Sequence, residues 1–505
     1  MSENSAGPPN IILIITDQQR FDTINALGFD YMDTPNIDRL VREGVSLNNC
    51  FINASVCAPA RASLFSGYWP HNAGVMRNGE VWSHTWVEDL AAAGYYNVNI
   101  GKMHTGPYEG EFGFHERYVV ENKDRVRDPF RFYDELDKAL LAQGIRKPGR
   151  DMYSERDDYE DSLGAFVWPV DEDMHPDFFV GNTALWWLEK ALPPNQPLFL
   201  EIGFPGPHPP YDPVERYIEP YMEKDMGILP ATEAEMEAQP DGLKKLRANF
   251  IQREHDAVAF NPHATDEQRQ RQRAFYMANV TMIDEKVGEI MESLEQKGYL
   301  ENSVVIFTSD HGDCLGDHGL NQKWSMYDII TRVPAIVWSP GRFEAGKTVE
   351  DLCQWFDLGT TILELAGVEP AKTMEAESLL PLLEGAPDAA GREFVFTELA
   401  RDGVLRYSEF VMCARNDEWK IVEFVGDAGG QLYNLIDDPS EVNNLWDEPE
   451  LAGHRAVLLG VIHRWFVRSV AQGRTWRNHL RAPWVSLDGT VSGDPGALPG
   501  DGDGD

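Results

Sequence analysis

Basic residues are scarce in this chain. Across 505 residues, 44 Lys and Arg face 83 Asp and Glu, a formal charge of −39. That balance excludes a nucleic-acid binder and a protein held on anionic membrane, since both need a basic surface. Cysteine is nearly absent as well. The five present (Cys50, Cys57, Cys314, Cys353, Cys413) are an odd number with no CxxC pair, which excludes a disulfide framework and a zinc ribbon. Long apolar runs are missing. The opening MSENSAGPPN has no basic start, and the IILII that follows is too short for a signal core or a membrane span. The expectation is a soluble, cytoplasmic protein. No internal repeat is visible.

What is present is a core. Hydrophobic residues make up 42%, ample for a large domain. Residues 10–16 (NIILIIT) form a short β-branched apolar run, the pattern of a strand buried on both faces of a sheet, and it ends abruptly in Asp17-Gln18-Gln19-Arg20. Helix and strand then alternate. Thr34-Pro35 opens a helix that Gly44 ends, TWVEDLAAAG (85–94) reads as a helix, and YYNVNIG (95–101) as a strand. Residues 179–192 and 266–297 read as helices, with strands at 197–204, 303–308 and 333–340. This predicts an α/β fold, a large mixed, mostly parallel sheet sandwiched by helices. After about residue 385, short strands with turn signals (EFVFTEL, EFVMCARN, EWKIVEFV, GGQLYNLI) predict a smaller antiparallel sheet, followed by a helix over 454–470. The expected division is a catalytic domain over 1–385 with insertions near 123–171 and 211–265, a C-terminal α+β subdomain over 386–472, and an extended arm with an acidic disordered tail over 473–505. The segment TWRNHLRAPWVSL is apolar enough for that arm to pack on a second copy in a homo-oligomer.

Ligands of open α/β sheets bind beyond the carboxyl ends of the strands, so residues at those ends are the candidates for chemistry. Asp17 follows the first strand and Asp310-His311 follow SVVIFTS. Two carboxylates, an imidazole and an amide oxygen suit a hard divalent cation, calcium or manganese. Taken singly, each Asp also reads as a helix cap or a loop residue. Cys57, in VCAPARASLFSG (56–67), stands at the mouth of a helix, where free N–H groups and the dipole favour an anion. Arg61, one turn on, is placed to fork-bind a tetrahedral oxyanion. Taken alone, the pair reads equally as a small core cysteine with a surface arginine.

CAPARASLFSG resembles the signature of the type I sulfatases of the alkaline phosphatase superfamily, Cys-x-Pro-x-Arg extended to a Gly. The resemblance continues in order along most of the chain, from IILIITDQQR to LYNLIDDPSEVNNL. It implies an alkaline-phosphatase-like fold, and a Cys57 oxidised by a formylglycine-generating enzyme to formylglycine, whose hydrate is the nucleophile. It implies one divalent cation carried by Asp17, Gln18, Asp310, His311 and the modified Cys57. Gln18 stands where many sulfatases have a second Asp, which leaves calcium and manganese both open. Lys102 and His104 in GKMH match residues that hold and deprotonate the aldehyde hydrate. His208, in FPGPHPP, matches a histidine at the sulfate and its leaving group, and Lys323, in GLNQKWSMYD, a lysine with a similar task. Asp313 and His318 are expected behind the ligands, and His71 in a structural place.

The activity implied is hydrolysis of an aryl or carbohydrate sulfate, with Lys102, Lys323 and the metal offsetting charge on the sulfuryl oxygens. His208 would protonate the leaving oxygen, and His104 would then deprotonate the remaining hydroxyl to release sulfate. Three alternatives stand beside it. Phosphonate monoester or phosphodiester hydrolases share the Cys-x-Pro-x-Arg signature and the Asp-Gln and Asp-His pairs. An unmodified Cys57 would leave an inactive protein that binds sulfated ligands. A thiolate Cys57 ligating metal would make an ordinary phosphatase.

Overall fold

The computed structural model describes residues 7–121, 123–125, 132–192, 196–228 and 231–480. Its centre is a nine-stranded sheet of β1 (Asn10–Asp17), β2 (Val45–Phe51), β3 (Tyr96–Gly101), β4 (Glu116–Val119), β5 (Leu198–Pro207), β6 (Ser303–Ser309), β7 (Arg332–Val333), β8 (Ala335–Trp338) and β9 (Lys347–Gln354). The order is β4-β3-β5-β1-β6-β8-β2-β7, with β9 also paired to β2. From β4 to β6 all pairings are parallel. β8 turns antiparallel to β6 and to β2, so the sheet is mixed and mostly parallel.

The alternation of side chains along β1 divides the core in two. Ile11, Leu13 and Ile15 join one cluster with Trp86, Trp355 and Leu358. Ile12 and Ile14 join another, with Val180, Ala184 and Trp187 of helix Pro176–Lys190 and with Ile283, Val287 and Ile290 of helix Asp266–Gln296. The sheet is thus covered on both faces. The long helix starts as its sequence dictates, with Thr265 and Gln268 closing a capping box.

Four antiparallel strands, β10 (Val395–Ala400), β11 (Phe410–Arg415), β12 (Trp419–Val425) and β13 (Gly430–Asn434), form the second sheet. A helix from Ala452 to Leu480 packs on it through Leu458 and Ile462. The expected extended arm from residue 473 is therefore helical as far as Leu480. No proline interrupts the chain until Pro483, and Gly473 lies directly against Asn72. The rest of the expected arm and the acidic tail fall outside the described residues. Among the described residues, no helix is long and apolar enough to cross a membrane.

Candidate active site

The sheet order assembles the site. β3, β5, β1 and β6 are neighbours and run the same way, so the residues at or just past their carboxyl ends, Lys102, His208, Asp17 and Asp310, meet at one edge. The register of β1 on β5 slips between Thr16 and Asp17, so that Phe204 pairs with Thr16 but Pro207 with Asp17. Bulges of this kind re-aim side chains beside functional sites. β3 and β5 close up through two glycines. A Cβ on Gly101 (φ 102°) would stand 2.0 Å from the Gly203 carbonyl, and one on Gly203 would stand 2.0 Å from that of Lys102. Gln18, His104 and Trp324, with φ of 71°, 61° and 73°, take left-handed backbone in loops that carry candidate residues.

Cys57 is the first residue of helix Cys57–Ser66, and Pro59 in the first turn needs no N–H partner. Its sulfur is buried, 2.9 Å from Lys323 Nζ, 3.1 Å from His311 Nε2 and 3.8 Å from Asp17 Oδ1. Burial and the Asp17 carboxylate push the thiol up, but Lys323, His311 and Lys102 outweigh them and hold it below its ordinary range. Burial also works against Asp17, yet Lys102, His208, Lys323 and Arg61 hold its carboxyl well below the usual range. Lys102 Nζ pairs directly with Asp17 Oδ2.

Asp17, Cys57, Asp310 and His311 present ligand atoms that all lie within 4.8 Å of one another. His311 Nδ1 faces the Gly312 carbonyl at 2.9 Å; that oxygen can only accept, so Nδ1 carries the proton and Nε2 turns inward. Burial lowers His311, but Asp310 and Cys57 raise it more, so a metal ion would compete with a proton there. Gln18 is fixed by Asp313, which accepts from its Nε2 at 2.6 Å and from the Tyr211 hydroxyl at 2.7 Å. The Gln18 amide oxygen is thereby turned to the Lys323 side, 3.0 Å from Nζ. Two carboxylates, an inward imidazole and an amide oxygen fit a hard divalent cation.

Arg61 lies among the candidate ligands. It is fully buried, with Nε 2.8 Å from Asp310 Oδ2 and one amine 2.6 Å from the Lys102 carbonyl. Two of its donors are thereby committed to the site's own scaffold, while its other amine has no hydrogen-bond partner and lies 3.8 Å from Asp17 Oδ2. His208 Nδ1 is 2.7 Å from the Pro209 carbonyl, and Nε2 is 3.7 Å from Asp256. Burial, and then the Lys323 charge, push its ring well below the usual imidazole range. Lys323 is shifted the other way: burial lowers it, but Cys57, Asp17 and Asp256 raise it more, so it stays charged. His104 is buried, and Glu121 holds its N–H together with that of Met103. His318, expected behind the ligands, instead stacks on Tyr327 at 3.6 Å between ring centres and bonds Glu235. His71 bridges Glu398 and Ser469 of the last helix, a structural place.

Several contributors were not foreseen. Lys123 bonds the His208 and Pro210 carbonyls and so pins the His208 loop. Asp256, paired with Arg125 and Arg150, faces His208. Both lie in insertions without periodicity, and no local pattern marks them.

A mixed sheet in this order, with carboxylates, lysines and imidazoles gathered at its carboxyl edge, is the alkaline-phosphatase-like arrangement of enzymes that cleave esters of tetrahedral oxyanions. A family model for sulfatases matches residues 9–368. The chain belongs to the sulfatase family and is a sulfuric ester hydrolase. A second model, the C-terminal part of N-sulphoglucosamine sulphohydrolase, matches residues 316–463. Among relatives, an arylsulfatase of Clostridium perfringens is 27% identical over 88% of this chain and 91% of its own. A multifunctional alkaline phosphatase superfamily protein, PehA of Trinickia caryophylli, is 29% identical over 93% and 99%. The fold matches a phosphonate monoester hydrolase of Agrobacterium radiobacter with a TM-score of 0.77 at 24% identity, over 96% of this chain and 100% of that one.

Proposed function

We propose that the enzyme cleaves aryl or carbohydrate sulfate monoesters, with residue 57, oxidised to formylglycine, as the attacking group. The observation that carries this reading is the Cys57 sulfur, buried at a helix N-terminus beside Lys323 and His311. The sulfur stands in for the hydroxyl oxygen that the hydrated aldehyde would present. Asp17, Gln18, Asp310 and His311 would hold a divalent cation, which when bound supplies Lewis-acid polarisation of the sulfuryl oxygens. This donor set serves calcium or manganese.

The chain's own residues do the rest. Arg61 orients Asp310 and the Lys102 turn. Lys102 and Lys323 place fixed positive charge where the sulfuryl oxygens gain negative charge. His208 holds its Nδ1 proton on Pro209, so Nε2 is the atom left to face the leaving oxygen and pass it a proton. His104 takes up a proton at residue 57 as sulfate departs. A phosphonate monoester is the second reading, favoured by the Asp17–Gln18 pair.

The test presents one leaving alcohol as sulfate, phenyl phosphonate and phosphate. The expected order of kcat/KM is sulfate, then phosphonate, then phosphate, since the first two esters carry one negative charge and the last close to two. A tenfold win for the phosphonate, about 1.4 kcal/mol, would overturn the sulfate assignment.

A further inference from the structure

Arg77, Arg401 and Arg406, with Asp402 and Gly403, line a cleft of about 590 Å³. In a chain with 83 acidic and 44 basic residues, three guanidiniums around one cleft ought to find carboxylate partners readily. Among the described residues none of the three forms an ion pair. Arg77 Nε donates to the Arg401 carbonyl and Arg406 Nε to the Gly403 carbonyl, each at 2.7 Å. These bonds fix the two side chains through one nitrogen and leave their amines to the cleft. The acid in the lining is committed elsewhere. Asp402 Oδ1 accepts from the N–H groups of Val404 and Leu405, and Oδ2 accepts from Trp324 Nε1 at 2.8 Å.

The cleft is tied to the candidate site by two connections. Arg77 precedes Asn78, whose Oδ1 accepts from the N–H of Ala58, next to Cys57. Asp402 holds Trp324, next to Lys323, whose ammonium is 5.5 Å from the indole centre. A single exposed arginine binds an anion weakly. Three around one cleft, with like charges held together and unneutralised, form a site for a planar or tetrahedral anion that accepts paired N–H bonds.

We propose that this cleft is a second anion subsite, which takes a carboxylate or a further sulfate on the alcohol part of the ester, so that the substrate class is a polyanionic sulfate ester such as a sulfated acidic sugar. The proposal rests on the sulfatase reading. The test uses three disaccharide sulfates with the same scissile bond. In one the neighbouring sugar is neutral, in one it is a uronic acid, and in one it carries a second sulfate. Binding to the full-length Cys57→Ala protein is measured by calorimetry, and turnover of 4-nitrophenyl sulfate by the active enzyme is measured separately. At least one charged disaccharide should bind about tenfold more tightly than the neutral one, and which one gains identifies the anion. Combining Arg77→Gln, Arg401→Gln and Arg406→Gln should erase the preference while 4-nitrophenyl sulfate turnover changes by less than about twofold. Equal binding of all three sugars, or a preference that survives the triple change, would overturn the subsite. Loss of 4-nitrophenyl sulfate turnover in the triple variant would overturn it as well, by making the arginines part of the reaction centre. Failure of the unaltered enzyme on 4-nitrophenyl sulfate would instead count against the sulfatase reading, and the binding arm would still decide the cleft.

Discussion

Arg61 and Glu201 are both wholly enclosed, and each makes a prediction that its charge alone would not. Arg61→Lys keeps the charge but loses the planar pair of bonds to Asp310 and the Lys102 carbonyl. Metal affinity or kcat/KM should fall roughly 10- to 100-fold, the usual effect of removing a group that orients a ligand; cation titration alongside kinetics checks it. Glu201, on β5, is pushed up to about 8 by burial, although Arg61, Asn99 and Arg117 pull it down. Its folded value lies above its unfolded one, so the folded state binds the extra proton and stability falls as pH rises from about 4.5 through about 8. Glu201→Gln should flatten that slope and stabilise the protein near pH 8 by on the order of a few kcal/mol, read from denaturation midpoints across the range. The ligand candidates were legible because each ends a recognisable strand or opens a marked helix. Lys123 and Asp256 were not, because they reach His208 only through the folding of aperiodic insertions.

The turn after β3 shows what an element must give up to place two candidate residues. Gly101 has a backbone that side chains rarely adopt, and its missing Cβ leaves room for the Gly203 carbonyl. Gly101→Ala should cost about 2 kcal/mol or more and displace Lys102 and His104, which thermal melts and sulfate-ester kinetics would both register. β1 and β6, with their β-branched runs, and β5, with the mostly apolar LFLEIGF, were readable in advance. β2 (VSLNNCF) and β9 (KTVEDLCQ) were not, because polar residues dominate their middles and their pairing is set by long-range neighbours. The last helix outran its expected end for a related reason. The Trp465 ring centre lies 4.5 Å from that of Phe396 on β10 and 4.8 Å from that of Trp69, Ser469 bonds Asn72, and Gly473 lies against the same Asn72, so tertiary contacts carry the helix past residue 470.

The whole surface carries the consequence of 83 acids against 44 bases. Self-repulsion opposes the compact state and is screened over about 10 Å at 0.1 M salt, so melting temperature should rise between 0.05 and 0.5 M NaCl (both on the scale set by that screening length). A flat or falling profile would show that the charges are locally neutralised. Fold class and the gathering of motifs at one edge followed from the alternation of helices and strands. The order β3-β5-β1-β6 did not, because adjacency in a parallel sheet is chosen by crossover connections that leave no local mark. That order also fixes a sequence of events during synthesis. Lys323 lies 266 residues beyond Cys57, and β6 must pair with β1 before the two can meet. Until then the sulfur has neither its enclosing wall nor its fixed cation. The closure that makes the site also ends that interval, so the oxidation of residue 57 proposed above would have to come before it.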